Sequence, residues 1–336
     1  MAPTIEMTIQ ADDLPAAVNP CPNPEPPARR PRRGGIKMFG EISLLTGPAL
    51  IVFLGFVIIP LIYAAYVGLF SWKGFGKPTD FIGLKNYLGA LTDPLFWWAA
   101  LNNLEIAAIS LIVQGPLALV MALLLNRKMK GRGLLRVLLF IPYVISEAIV
   151  GIGWSLFVGM SGAKSGAVNA VLNDIGLSSL THAWLEKGTS LGVLLLICTW
   201  KYIGFAVILF LAGMQGVPEE LSEAAAVDGA GFWRTQWHIT IPLLGPTLRI
   251  WAFLSIIGSM QLFDLVNVIW GSRNSWIQGV DTMATYMYRN GAYSGTYGRG
   301  DAIAAIMFVL TLILALFYQR FVLRRDTEGA LTGGHN

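Results

Sequence analysis

Three ionisable residues, Glu147, Lys201 and Asp264, fall inside long apolar stretches. A charge in hydrocarbon is costly unless it is paired or wetted, so such residues mark a polar path through a bilayer or a structural ion pair. Lys201 is expected to pair with Glu147 or Asp264 and hold helices together, with Gln261 extending that network or facing a path. Two stripes of side chains accompany these charges. Cys198, Tyr202 and Phe205 recur at steps of four and three, as do Ser255, Ser259 and Leu262, which puts each set on one face of a helix. Rings and hydroxyls inside a greasy bundle suit the passage of a polar solute. Serines also pack membrane helices closely because they are small, so the sequence leaves both readings of the stripes open.

Covalent and metal chemistry find no support in the chain. His182, His238 and His335 are scattered, and Cys21 and Cys198 stand in regions too different in character to bridge. There is no Gly-x-x-x-x-Gly-Lys-Ser/Thr phosphate cradle and no nucleophilic serine motif. An enzyme is therefore not expected, nor a cofactor or metal bound by this chain, and any nucleotide chemistry would belong to another subunit.

The elements that must position these residues are membrane helices. The chain is 54% hydrophobic and only 13% charged, with a mean hydropathy of +0.59, too apolar for an ordinary wetted surface. Crossing a bilayer takes about 20 apolar residues in a helix, since lipid offers backbone groups no outside partner. Six stretches meet that length: 42–70, 99–125, 134–158, 191–214, 248–270 and 302–322. The fold class is thus all-α and polytopic, with six transmembrane helices over 39–325. Basic residues cluster in the N-terminal tail, from the end of the second span to the start of the third (Arg127, Lys128, Lys130, Arg132, Arg136) and at and beyond the end of the last (Arg320, Arg324, Arg325). The positive-inside rule then places both termini in the cytoplasm, and the net charge of +4 reads as topology and contact with anionic lipid, with no nucleic-acid partner. The tail 1–38, rich in Pro, Ala and Arg, and the tail 326–336 are expected to be cytoplasmic, the first of them disordered. Trp72, Trp97 and Trp98 are expected at a headgroup boundary, and Tyr286, Tyr288, Tyr293 and Tyr297 on an aromatic outer surface.

One loop, 215–247, stands out between the fourth and fifth spans. Pro218 suits a first helical position, Glu219 and Glu220 suit the positive end of a helix dipole, and Gly229 suits a C-terminal stop. Ala224, Ala225 and Ala226 would form a thin face that another protein can approach closely, with Phe232, Trp233 and Trp237 as apolar anchors nearby. The run Glu223-Ala224-Ala225, with Gly229, Ile239 and Ile241-Pro242 at their spacing, resembles the signature loop of ABC importer permeases, with Ile241 where that family usually has leucine. Phe81-Ile-Gly-Leu-Lys-Asn-Tyr87, Thr199-Trp-Lys-Tyr-Ile-Gly-Phe205 and Phe263-Asp264 are similar to segments of its carbohydrate branch, the maltose, lactose and glycerol-phosphate permeases.

The resemblance implies the type I ABC importer permease fold in a bacterial inner membrane. It implies a coupling helix that seats in an ATPase subunit, Glu223 being a contact, Gly229 a hinge, Asp228 a support for the turn, and Ala224, Ala225, Ile239 and Pro242 the rest of the motif. It places Tyr202, Phe205, Ser255 and Ser259 along a sugar path. The implied partners are an ABC ATPase dimer that uses ATP and Mg2+, a second homologous permease and an extracytoplasmic sugar-binding protein. The competing expectation is a secondary sugar transporter driven by an ion gradient.

Overall fold

The computed structural model describes residues 35–127, 129–159 and 166–323. The expected tails lie outside them, except that the first helix, Gly35–Phe53, already begins inside the first. The chain divides into two compact units, residues 1–56 and 57–336. In the first unit the side chains of this helix are largely exposed, Leu44 and Leu45 among them, as they are on a helix meant to face lipid.

The regular secondary structure of the described residues is helical, joined by turns and loops, apart from a lone antiparallel bridge between Phe70 and Phe81. Among the described residues five helices are long and apolar enough to cross a membrane: Ile42–Val67, Pro94–Leu125, Ser190–Met214, Gly245–Ile269 and Tyr297–Leu323. A sixth crossing exists if Arg132–Val144 and Glu147–Val158, bent by 96° at their junction, count as one. The sequence reading treats this third span as a single rod, and the structure corrects that. Pro142 cannot donate a hydrogen bond within the first helix. Ile145 leaves the helical region at ψ 136°, and the Ser146 hydroxyl caps the next helix by accepting from the Ile149 amide.

Within residues 57–336 the fourth span is the axis of packing. It lies against the second span and the first half of the broken pair, and thirteen of its residues are buried. Gly204 lets the backbone of Arg132–Val144 come close, since a Cβ there would fall onto the carbonyl of Leu139. The segment Phe81–Tyr87 has a mechanical explanation: Asn86 donates to the carbonyls of Gly68 and Phe70 at 2.9 and 3.0 Å, and the Tyr87 hydroxyl to that of Ala65 at 2.6 Å. Together they satisfy the orphan carbonyls where the first span ends.

A polar knot fastens the connection after the fifth span. Asp281 pairs with Arg289 at 2.7 Å and accepts from Ser275 and Thr285, while Asn102 of the second span donates to its backbone carbonyl at 2.7 Å. Tyr286, expected on an outer surface, is fully buried. Its hydroxyl donates to Asp93 at 2.6 Å, and burial, then the bond to Asp93, pushes it up to about 12. Tyr293 and Tyr297 are exposed as expected, and Trp97 and Trp98 as well.

Candidate functional site: an intramembrane cavity and the loop between its walls

A cavity of about 450 Å³ opens among the second, fourth and fifth spans and the junction of the broken pair, a size typical of small-molecule sites. The fourth span contributes Cys198, Thr199, Tyr202 and Phe205, and the fifth contributes Trp251, Ser255 and Ser259, continuing through Gln261, Leu262, Phe263 and Asp264. Every member of the two stripes therefore reaches one cavity, including Tyr202, Phe205, Ser255 and Ser259.

Local irregularities shape the wall. The second span carries a π turn, Ser110–Gln114, where it borders the cavity. Pro116 follows at once, lacking the amide that would continue regular pairing to Ile112. The fifth span breaks after Met260 and resumes at Asp264. The carbonyls freed there are taken up from outside: Thr282 donates to Leu262 at 2.8 Å, and Asn103 donates to Ser259 at 2.5 Å. Such breaks persist in a bilayer only where protein or a wet cavity satisfies the backbone.

The serines do both jobs that the sequence left open. Ser255 shares a hydrogen bond with Ser110 of the second span, and Ser259 returns its proton to the carbonyl of Ser255 at 2.8 Å. They line the cavity while packing its helices together.

The three intramembrane charges are arranged differently from the expected ion pair. Lys201 is 2% exposed, does not line the cavity, and directs its ammonium to the carbonyls of Ile145 at 2.7 Å and Pro142 at 3.4 Å. It thus caps the C-terminal end of Arg132–Val144, where orphan carbonyls and the negative end of the dipole both favour a cation. Glu147 opens the following helix, accepts from the Tyr202 hydroxyl and faces the cavity. Asp264 lines the same cavity with no hydrogen-bond or ion-pair partner among the described residues.

Among the lining residues not singled out by sequence are Gln114, Tyr143 and Trp251. Tyr143 stacks on Phe205 with ring centroids 5.0 Å apart at 21°, and Trp251 meets Phe210 edge to face. The nearest signals are local, Pro116 beside Gln114 and Pro142 beside Tyr143, each a place where a membrane helix must depart from regularity.

The loop after Met214 folds as the short helix Glu219–Val227, with Pro218 at its N-cap and Asp228 at its C-cap. Gly229 follows at φ +77°. The amide of Ala230 reaches the carbonyl of Ala225 at 2.9 Å and that of Gly229 reaches Ala226 at 3.1 Å, the paired bonds of a Schellman stop. Ala225 is buried, while Glu223, Ala224, Asp228 and Gly229 are exposed. Beyond the turn, Ile239 is half-buried and Pro242 exposed, with Trp233 and Trp237 open to their surroundings. Arg127, at the end of the second span, stands over the Phe232 ring at 4.8 Å and ties the loop to that helix.

Comparison with known proteins agrees with this architecture. The chain is 33% identical to the trehalose/maltose transport system permease protein MalF of Thermococcus litoralis over 82% of its own length and 91% of that protein's. It is 30% identical to the diacetylchitobiose uptake system permease protein NgcF of Streptomyces coelicolor, covering 95% and 93% of the two chains. A chain of a bacterial ABC transporter involved in import of the acidic polysaccharide alginate superposes with a TM-score of 0.73 at 26% identity, covering 86% of this chain and 97% of that one. Residues 114–327, which hold most of the cavity and the whole loop, match the family described as the binding-protein-dependent transport system inner membrane component. The chain belongs to that family, a multi-pass membrane permease of the ABC type.

Proposed function

We propose that this chain forms half of the translocation path of an ATP-driven sugar importer and that loop 215–247 couples it to the motor. The observation that carries the reading is one of connectivity. The loop runs directly from the end of Ser190–Met214 to the start of Gly245–Met260, the two helices that bear the stripes of the cavity. A load on the loop therefore acts on both walls, shifting Tyr202 and Phe205 against Ser255 and Ser259. Breaks at 145–146 and 261–263 lie beside the same cavity, where bending costs least.

In this reading Glu223 and Ala224 present the contact face, Ala225 anchors the helix from its buried side, and Asp228 and Gly229 form the joint. Ile239 and Pro242 continue the motif toward the membrane. The partners are an ABC ATPase dimer that binds ATP and Mg2+, a second homologous permease and an extracytoplasmic sugar-binding protein. Both termini and the loop lie on the cytoplasmic face of the inner membrane. The names of the relatives, permeases for trehalose and maltose and for diacetylchitobiose, support a carbohydrate cargo.

Vesicles reconstituted with the four components test the proposal. Uptake of labelled oligosaccharide should require the binding protein and internal ATP and should stop with vanadate. Accumulation driven by an ion gradient without the ATPase would overturn it in favour of secondary transport.

A further inference from the structure

The cavity lining is electrically one-sided. Glu147 and Asp264 both face it, and no Lys or Arg lines it among the described residues. Lys201 neighbours Tyr202 in sequence, but its ammonium is turned to the carbonyls of Pro142 and Ile145. Asp264 has no partner among the described residues. Glu147 accepts a hydrogen bond from the neutral hydroxyl of Tyr202 and feels the Lys201 ammonium through space, 5.5 Å from the Tyr202 ring centroid. The two carboxylates thus face one nearby cation, and Asp264 is the uncompensated charge. The remaining polar groups are uncharged. Gln114 is 5% exposed, and its carbonyl oxygen accepts from Ser110 at 3.0 Å. That leaves its amide NH2 without a hydrogen-bond partner among the described residues, on a residue that lines the cavity, a donor suited to a hydroxyl. Phe205 and Tyr143, stacked on one another, supply the apolar surface.

We propose that this half of the path selects on charge, passing uncharged and amino-bearing sugars and holding back anionic ones such as sugar phosphates and uronates, with Glu147 and Asp264 as the specificity-determining residues. The proposal rests on reading the cavity as the path. Carboxylates between low-dielectric walls focus their field into the space they line, concentrating cations and depleting anions.

Cys198 lines the same wall and is only 6% exposed, so it reports on the cavity as it opens during ATP turnover, and Cys21 is the only other cysteine. In the assembled complex carrying Cys21→Ser, Cys198 is treated with a cationic trimethylammonium methanethiosulfonate or an anionic sulfonate methanethiosulfonate. Each rate is divided by that reagent's rate with a free thiol. The cationic reagent should react faster by on the order of tenfold. The ratio should fall toward unity in Glu147→Gln/Asp264→Asn, where the glutamine still accepts from Tyr202. Equal normalised rates in the unsubstituted lining, or a ratio indifferent to the double substitution, would overturn charge selection and leave the path reading intact. If neither reagent reaches Cys198, at rest or during ATP turnover, the path reading falls and charge selection with it.

Discussion

Replacing Lys201 with methionine keeps most of the side-chain volume and removes the ammonium that caps Arg132–Val144. Two hydrogen bonds are lost, one short, to Ile145 at 2.7 Å, and one long, to Pro142 at 3.4 Å. A hydrogen bond from a charged donor contributes about 1.5–3 kcal/mol, and interhelical hydrogen bonds in bilayers average about 0.6 kcal/mol. The short bond therefore dominates, at about 2–3 kcal/mol with the long one included. Against this, methionine avoids the desolvation of a buried ammonium, which offsets part of the loss. The net expectation is a destabilisation of about 1–2 kcal/mol, concentrated at the junction, because the orphaned carbonyls sit there. Thermal unfolding of the purified complex should fall by roughly 2–8 °C. Spin labels at positions 134 and 157, exposed on the two arms of the bend, should give a broadened distance distribution by pulsed electron resonance. Lys201→Gln, which restores a neutral donor, should recover part of both. If Lys201→Met leaves the distance distribution as narrow as the unsubstituted chain's, the 96° bend is held by Pro142 and the Ser146 cap alone, and the clasp argument is refuted.

Other consequences can be checked separately. Gly229→Val should abolish sugar uptake while membrane insertion stays normal: no atom crowds the position, but φ +77° costs a side-chain-bearing residue about 1–2 kcal/mol, and Gly229→Asn should retain more uptake than valine, as measured in vesicles. Gly204→Leu should prevent assembly of a stable complex, because the side chain would occupy the space of the Leu139 backbone, with a loss of several kcal/mol as for overpacked cores; recovery of normal monodisperse complex by size-exclusion chromatography would contradict the packing argument. Phe205→Ala should weaken uptake by removing the ring stacked on Tyr143, with ATPase coupling preserved, so that basal ATP hydrolysis is unchanged within about twofold. Tyr286 is raised to about 12 in the folded chain against about 10 unfolded. Its contribution to stability is therefore complete below pH ~10 and is lost as pH rises toward ~12. Denaturation followed across that window should show a steeper decline in the native chain than in Tyr286→Phe.

Much of this protein is determined locally and was legible in the residues alone. Apolar stretches of spanning length name the helices, because a bilayer satisfies no backbone group from outside. The spacing of Glu223, Gly229 and Pro242 gives the loop its helix, stop and re-entry, since each residue acts through its own φ or its own amide. The four- and three-residue steps of Cys198, Tyr202 and Phe205 fix a shared face by geometry. Tertiary structure decided what those faces meet. Lys201 was expected to seek an acid and instead took carbonyls, a partner that exists only because the third span breaks at 145–146, where its two halves bend by 96°. Gln114 and Tyr143 entered the cavity through a π turn and that same bend, and Tyr286 left the surface because Asp93, 193 residues away in the chain, lies beside it. Each of these outcomes depends on groups that are distant in sequence arriving at one place, which residue type and spacing do not encode until the helices have packed.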